Sequence, residues 1–236
     1  MNDIKKSNSK EIGEKIEIFV NPPWASDEFI VDFVKKCFEV PKKQGITFSA
    51  CKIDSDFVKK IRANGAVVVA QIGSEIVACS LIDFQRCGFL FSKNRMYISI
   101  DCVDPAFTGM GISRKLTSFV LEMAKEKHCS YAYISTALNS DININRNLKN
   151  GFYRWRINSY SGTSYYSILF RKNFYNDKFY RLWHLFRYEY SYCWCRMCKR
   201  ADGSHTMIGA VVEKPLLAVR SGILSALERI CHAKKT

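Results

Sequence analysis

Two glycines, Gly109 and Gly111, separate a run that alternates apolar and polar residues from a run with helical periodicity. The first run, MYISIDCV (96–103), is typical of a half-buried strand, and the second begins at Ile112. Glycine lets a ligand approach the main chain closely, and the free N–H groups of a helix's first turn form a generic phosphate site. The junction predicts a strand, a tight turn and a helix that can hold a phosphate at its start. A tight turn alone would also account for both glycines.

The bulk composition predicts a globular, cytoplasmic protein. The chain has 236 residues, 47% of them hydrophobic, which is enough for one good-sized core and a tail. The first segment, residues 1–14, is polar and without periodicity, so we expect it to be disordered and not a signal peptide. No apolar run reaches the roughly 18 residues that a membrane span needs. The ten cysteines lie mostly in apolar runs, where reduced thiols behave as small hydrophobes.

Positive charge is concentrated towards the end of the chain. The formal net charge is +14, and residues 171–236 alone carry 13 Lys and Arg against 5 Asp and Glu. Aromatic residues recur there at helical spacing, so residues 172–236 are predicted to form a basic, aromatic, helical extension. Four interpretations of residues 172–200 stay open: packing on the domain, a membrane-surface contact, a homodimer contact, or an anionic partner such as nucleic acid. A second amphipathic helix is predicted at 215–232.

The patterns before this extension predict an α+β domain over residues 15–171. A hairpin is predicted across Gly73 and Ser74, because two residues with glycine first suit a tight turn. The full predicted order is a strand at 15–20, helices at 29–38 and 54–62, strands at 66–72, 75–84 and 96–103, a helix from 112, a strand at 130–136, a helix at 140–150 and two strands at 152–160 and 163–170.

This order, with the glycine junction in its middle, resembles the GNAT superfamily of acyl-CoA-dependent N-acyltransferases. The family signature is Arg or Gln, two residues, Gly, one residue, then Gly or Ala, often after Val-x-Pro. Val103-Asp104-Pro105 matches the lead-in and the glycines match, while Thr108 and Ser113 depart from the signature. A second landmark, a helix ending in Gly-Phe, is present as NLKNGF (147–152). The resemblance implies a mixed, mostly antiparallel central sheet flanked by helices.

The resemblance also implies the chemistry: direct transfer of an acetyl or other acyl group from acyl-CoA to a primary amine. Acetyl-CoA is the expected donor, and no metal is expected. The main-chain N–H of Val103 is expected to face the thioester carbonyl. The residues implied for cofactor binding are Cys102, Val103, Thr108, Gly109, Met110, Gly111, Ile112, Ser113 and Arg114.

The sequence offers candidate side chains for the general base of the reaction but none for the general acid. Asn147 stands where the family often has the Tyr that serves as general acid, and an amide has no proton to give at neutral pH. Asp101 is the candidate base, because it lies two residues before Val103 and is expected on one strand face with Ser99 and Tyr97. Glu75, Asp83 or a water relay stay open as alternatives. The acceptor can be a small-molecule or protein amine.

Two other functions compete with the acyltransferase. A non-catalytic acyl-CoA-binding or interaction module is favoured by Asn147, and a nucleic-acid-associated protein is favoured by charge alone. A zinc site at Cys195 and Cys198 with His205 is disfavoured, because structural zinc normally takes two separated ligand pairs.

Overall fold

A computed structural model describes residues 15–39, 52–87, 93–160, 163, 165–174 and 178–213. Seven strands form one sheet in the order β1-β2-β3-β4-β5-β7-β6, with helices on both faces. The strands are β1 (Ile16–Val20), β2 (Gly65–Ile72), β3 (Glu75–Cys87), β4 (Lys93–Val103), β5 (Tyr131–Ala137), β6 (Tyr153–Ser159) and β7 (Tyr166–Asn173). The helices are α1 (Asp27–Cys37), α2 (Ser55–Asn64), α3 (Ile112–Glu126), α4 (Asp141–Lys149) and α5 (Lys178–Cys198).

The predicted α+β class and the predicted order of elements are confirmed. Every neighbouring pair of strands is antiparallel except β4 and β5, which are parallel. The hairpin joins β2 to β3 as expected, with Gly73 at φ +59°. Ser26 is the N-cap of α1, because its Oγ accepts a hydrogen bond from the Phe29 N–H at 3.1 Å.

The sheet separates two apolar cores. The core beneath α3 and α4 includes Leu116 and Val120 of α3 and Phe170 of β7. The core beneath α1 and α2 includes Ile30 and Val58. Each helix buries one side against the sheet, as amphipathic helices do.

A β-bulge at Ser99 divides β4 into two halves. Ile98 pairs with Ile82 and Ile100 pairs with Leu81, so Ser99 has no partner on β3. The extra residue reverses the alternation of side chains, because Ile98 packs in the core beneath α3 and Ile100 packs in the core beneath α1. Tyr97 and Asp101 therefore lie on opposite faces, and the expectation that they share one face is wrong.

The extension begins as one long helix on the edge of the sheet. The predicted helix is confirmed, with α5 running from Lys178 to Cys198. It packs along the edge strand β6, where Ser191 Oγ accepts a hydrogen bond from the Ile157 N–H at 3.0 Å. Cys195 is buried in the core beneath α3. No helix in the described ranges is long and apolar enough to cross a membrane. The predictions for residues 1–14 and 215–232 lie outside the described residues.

Candidate active site

Strands β4 and β5 separate after four paired rows. Arg95 to Ile98 pair with Tyr131 to Ile134, and both strands then continue without pairing to each other. A cavity of about 430 Å³ lies at this separation. Its walls come from β4, β5, α4, the ends of β6 and β7, and Phe38 beyond α1.

The main-chain N–H of Val103 points into the gap between β4 and β5. The next N–H along the strand, that of Asp104, donates to the Val77 carbonyl of β3 at 2.9 Å. Successive N–H groups of a strand point to opposite sides, so the Val103 N–H points away from β3. Such a donor can stabilise negative charge on a carbonyl oxygen in the gap.

The glycine junction forms an open cradle at the start of α3. Gly109 and Gly111 have φ of +90° and +76°, and a Cβ added at either residue would meet no atom within 4 Å apart from those of its neighbours along the chain. No side chain caps α3, and its first turn contains no acidic residue. The exposed Arg114 and Lys115 follow directly. Free N–H groups, open space and positive charge together suit a pyrophosphate group.

The other residues implied for cofactor binding have side chains that pack in the two cores or lie beside the cradle. The side chain of Ile112 packs in the core beneath α3, and that of Cys102 packs in the core beneath α1. Met110 is half-buried and Thr108 is exposed. The Thr108 N–H donates to the Pro105 carbonyl at 3.4 Å, which closes a short 3-10 turn (Pro105–Phe107).

Asp101 is a buried carboxylate with two partners at the cavity wall. Its Oδ1 accepts a hydrogen bond from Ser80 Oγ at 2.6 Å, and its Oδ2 lies 3.2 Å from Arg146 Nη2. Arg146 Nη1 also donates to Ser113 Oγ at 3.0 Å. The Arg146 guanidinium of α4 therefore joins the strand carboxylate to the first turn of α3.

Sequence reasoning missed Arg146. It precedes Asn147, the landmark position, by one residue, and that spacing places it on the cavity side when Asn147 faces the core. This position next to Asn147 is visible in the sequence, but it indicates a cavity residue only when the rotation of α4 is known.

Asn147 is part of the core. Its side chain is buried, and Nδ2 donates to Thr136 Oγ1 of β5 at 2.8 Å. Thr136 lines the cavity, so the amide fixes a cavity wall from behind. This hydrogen bond gives Asn147 a structural role where the family often has Tyr.

The alternative bases lie away from the cavity wall. Glu75 begins β3 and is exposed, while Asp83 accepts a hydrogen bond from Gln85 Nε2. Neither lines the cavity.

Three tyrosines line the cavity: Tyr97, Tyr160 and Tyr165. Burial raises the pKa of Tyr97, and neighbouring Tyr160 adds to the effect. The Tyr97 phenol therefore stays neutral, and it can donate a hydrogen bond at any physiological pH.

Two buried thiols in the core beneath α1, those of Cys79 and Cys102, are held in their neutral form. A hydrogen bond with Cys37, and then burial, raise the pKa of Cys102, while burial raises the pKa of Cys79. Within the described ranges, no three His, Cys, Asp or Glu side chains form a group that could hold a metal ion.

Comparison with known proteins gives the same fold. The model of the acetyltransferase (GNAT) family matches residues 28–152. The structure is similar to Chaetomium thermophilum Naa20 in complex with a bisubstrate analogue, with a TM-score of 0.55 and 16% identity over 66% of this chain and 86% of that one. It is similar to Ard1 from Thermoplasma volcanium, with a TM-score of 0.53 and 14% identity over 68% and 99% of the two chains.

A third similar structure is the ribosomal-protein-S18-alanine N-acetyltransferase from Escherichia coli, with a TM-score of 0.52 and 10% identity over 70% and 97% of the two chains. A search among curated proteins gave no match. Two strands that separate beside a glycine-led helix are consistent with an acyltransferase fold. The chain belongs to the GNAT acetyltransferase family, as an N-acetyltransferase.

Proposed function

We propose that this protein transfers an acetyl group from acetyl-CoA to a primary amine by direct attack. One observation carries the proposal: the separation of β4 and β5 opens a cavity beside the uncapped, glycine-led start of α3. A thioester can enter the gap while its pyrophosphate lies on the cradle. The acceptor is a small-molecule or protein amine.

The chain contains groups suited to holding the donor. The cradle spans Thr108 to Ser113, with Arg114 beside it and Cys102 and Val103 leading into it. Gly109 and Gly111 leave room for the phosphates, because neither has a Cβ and the space that a Cβ would occupy is open. Bound there, acetyl-CoA supplies an activated acyl group and a thiolate leaving group.

Two groups act on the reacting atoms. The Val103 N–H stabilises negative charge on the thioester oxygen, and Asp101 takes the proton that the attacking ammonium must lose, directly or through water. Both belong to the half of β4 that follows the bulge. The thiolate is a good leaving group, so the reaction does not need the acid that Asn147 cannot provide.

The reaction is assigned to residues 15–171, and residues 172–236 are proposed to be an extension that supports this domain. We place the protein in the cytoplasm, because the described cysteines are free and most of them are buried. The described free cysteines are Cys37, Cys79, Cys102, Cys129, Cys193, Cys195 and Cys198.

The direct test measures thiol release from acetyl-CoA in the presence of a panel of amines, beside thermal melting with and without acetyl-CoA. A ligand at 100 times its dissociation constant stabilises a protein by about 2.7 kcal/mol, which is a visible shift in Tm. A shift without thiol release would favour the non-catalytic acyl-CoA-binding module, which the buried Asn147 also favours. No shift with acetyl-CoA, CoA or longer acyl-CoAs would contradict both functions.

A further inference from the structure

A row of large side chains leads from the cavity across the face of the sheet opposite α3. Tyr97 at the cavity pairs in register with Tyr133 of β5, and Tyr133 pairs with Arg171 of β7. Directly paired residues place their side chains on one face, and the Arg171 guanidinium lies 5.8 Å from the Tyr133 ring centroid. The cavity residue Tyr97 therefore lies on the same face of the sheet as Tyr133, which is half-buried, and Arg171, which is buried.

Arginines and aromatic rings stack at the far end of this row. The Arg171 guanidinium lies 4.1 Å from the centroid of Tyr131 and 4.4 Å from that of Trp155. The Arg187 guanidinium of α5 reaches over the sheet edge to the same Trp155 ring, at 4.5 Å. These distances are typical of cation–π contacts.

A third arginine lies on the same face. Arg156 of β6 pairs with Leu169, which is two residues from Arg171 on β7 and therefore faces the same way. Burial lowers the pKa of Arg187, and the charge of Arg156 lowers it further.

The exposed positive charge of this face lies on Arg156 and Arg187, whereas Arg171 and Trp155 are buried. Among the described residues, no carboxylate lies within 4 Å of Arg156 or Arg187. Asp83 stands on the same face but on β3, opposite Tyr97 and beyond the cavity. We name the group formed by Tyr133, Trp155, Arg156, Arg171 and Arg187 the arginine–aromatic strip.

We propose that Arg156 and Arg187, the two exposed arginines of the arginine–aromatic strip, bind the carboxylates of an acidic peptide whose amine enters the cavity. The inference rests on the proposed acetyl transfer and specifies its acceptor. Neighbouring strands lie about 4.8 Å apart, so the exposed Arg156 on β6, three strands from β4, is about 14 Å from the row of Tyr97, a distance that four extended peptide residues span. A single small amine does not bridge it. The carboxylates belong to the second to fourth residues after the amine.

The stacking within the strip disfavours a nucleic acid as the occupant. Single-stranded nucleic acids bind through rings that are free to stack on bases. The Tyr131 and Trp155 rings already lie against guanidinium groups. The strip thus offers charge for carboxylates, and its rings hold the arginines in place.

The test uses three peptides of equal length and identical first residue, followed by Asp and Glu, by Asn and Gln, or by Lys. Acetyl transfer is followed by thiol release, and binding is followed separately by anisotropy of labelled peptides in the presence of CoA. We expect the acidic peptide to bind best and to have the lowest KM. Arg156→Gln and Arg187→Gln should each raise its KM about three- to tenfold, and salt should weaken the preference.

Arg154→Gln is the matched control. Arg154 lies on the same strand as Arg156 but pairs with Phe170, so it faces the other side, where its guanidinium is 5.9 Å from the Tyr188 ring centroid. This variant should leave the KM of all three peptides unchanged.

Three outcomes would overturn the inference. Equal binding of the three peptides would remove the acidic preference, and an effect of Arg154→Gln as large as that of Arg156→Gln would remove the role of the strip. An oligonucleotide that binds more tightly than the acidic peptide would make nucleic acid the occupant. Efficient acetylation of small amines in any of these cases would leave the proposed function standing.

Discussion

Lys36 at the end of α1 donates a hydrogen bond to Asp104 Oδ2 at 2.7 Å and so ties α1 to the turn that leads into the glycine junction. Asp104 Oδ1 also accepts from the Ala106 N–H at 3.0 Å. Burial opposes ionisation of this carboxyl, but the Lys36 ammonium and the Ala106 N–H prevail and lower its pKa.

Replacing Asp104 by Asn should therefore destabilise the protein in a pH-dependent way. Because the folded pKa is lowered, the charged carboxylate stabilises the fold above its unfolded pKa of about 3.9, and this contribution is lost as pH falls through the folded value. We expect Asp104→Asn to cost about 1 kcal/mol at pH 7 and little in strong acid, measured by urea unfolding across pH. Glu122→Gln, which breaks the exposed pair with Lys125, should change nothing measurable. A loss that is the same at every pH would contradict this explanation.

Gly111→Ala should separate backbone strain from donor binding. A side chain at positive φ costs about 1 kcal/mol, and the added Cβ would stand in the open cradle. Gly203→Ala is the matched control, because Gly203 also has positive φ but lies beyond α5. Both variants should lose similar stability in thermal melts, whereas only Gly111→Ala should weaken the shift caused by acetyl-CoA. Gly111→Glu should abolish that shift, and a normal shift in Gly111→Glu would place the pyrophosphate elsewhere.

Asp101→Asn tests the proposed base. The amide keeps the shape but cannot take a proton, so kcat should fall by about 10² to 10⁴ while acetyl-CoA binding stays nearly intact. Ser80→Ala removes the hydrogen bond to Oδ1 and leaves the carboxylate, so its kcat should fall far less. Near-normal turnover in Asp101→Asn would show that the carboxylate is not the base and serves only as the ion-pair partner of Arg146.

Asn147→Ala should damage stability more than catalysis. It leaves the buried Thr136 hydroxyl without its donor, a loss of about 1–3 kcal/mol, but removes no proton donor. Urea unfolding and kcat measured on one preparation would separate the effects, and a double-mutant cycle with Thr136→Val should show coupling of about 1 kcal/mol. A kcat loss of a hundredfold without loss of stability would instead give Asn147 a direct role in the reaction.

The order of elements could be predicted because it depends on local periodicity and on glycine positions. The rotation of helices depends on what they pack against and was less accessible. On α3 the apolar Phe119 is 38% exposed while the polar Thr117 is 5% exposed, so residue type alone does not give the rotation of the helix. Arg146 could not be identified for the same reason, because its role depends on the rotation of α4.

The arginine–aromatic strip could not be predicted from the sequence. Its members come from β5, β6, β7 and α5, and only strand register brings them together. The excess of positive charge near the end of the chain was visible, but its meeting with Trp155 was not.

Ending the chain at Asn173 should destabilise or aggregate the protein. Truncation exposes the apolar core that Cys195 helps to close and leaves the outer edge of β6 open to pairing with other chains. Ser191→Ala removes the acceptor of the Ile157 N–H together with the donor to the Tyr188 carbonyl, and it should cost about 1 kcal/mol in urea unfolding. Arg196→Gln, an exposed change on the same helix, is the control and should be silent. A truncated chain that stays soluble, melts normally and consumes acetyl-CoA would make α5 an independent appendage.

Because Ser99 is unpaired, the face of the sheet on which Asp101 lies depends on the number of residues in this stretch of β4. β4 needs one residue more than β3 to send Asp101 towards Arg146 and not into the core that contains Cys37 and Cys79. Deleting any single residue between Ile98 and Asp101 would exchange the faces of everything after it and drive a carboxylate among apolar side chains. Substitutions in this stretch can be conservative, but its length cannot change by one, so insertions and deletions here should be far less tolerated than any point change.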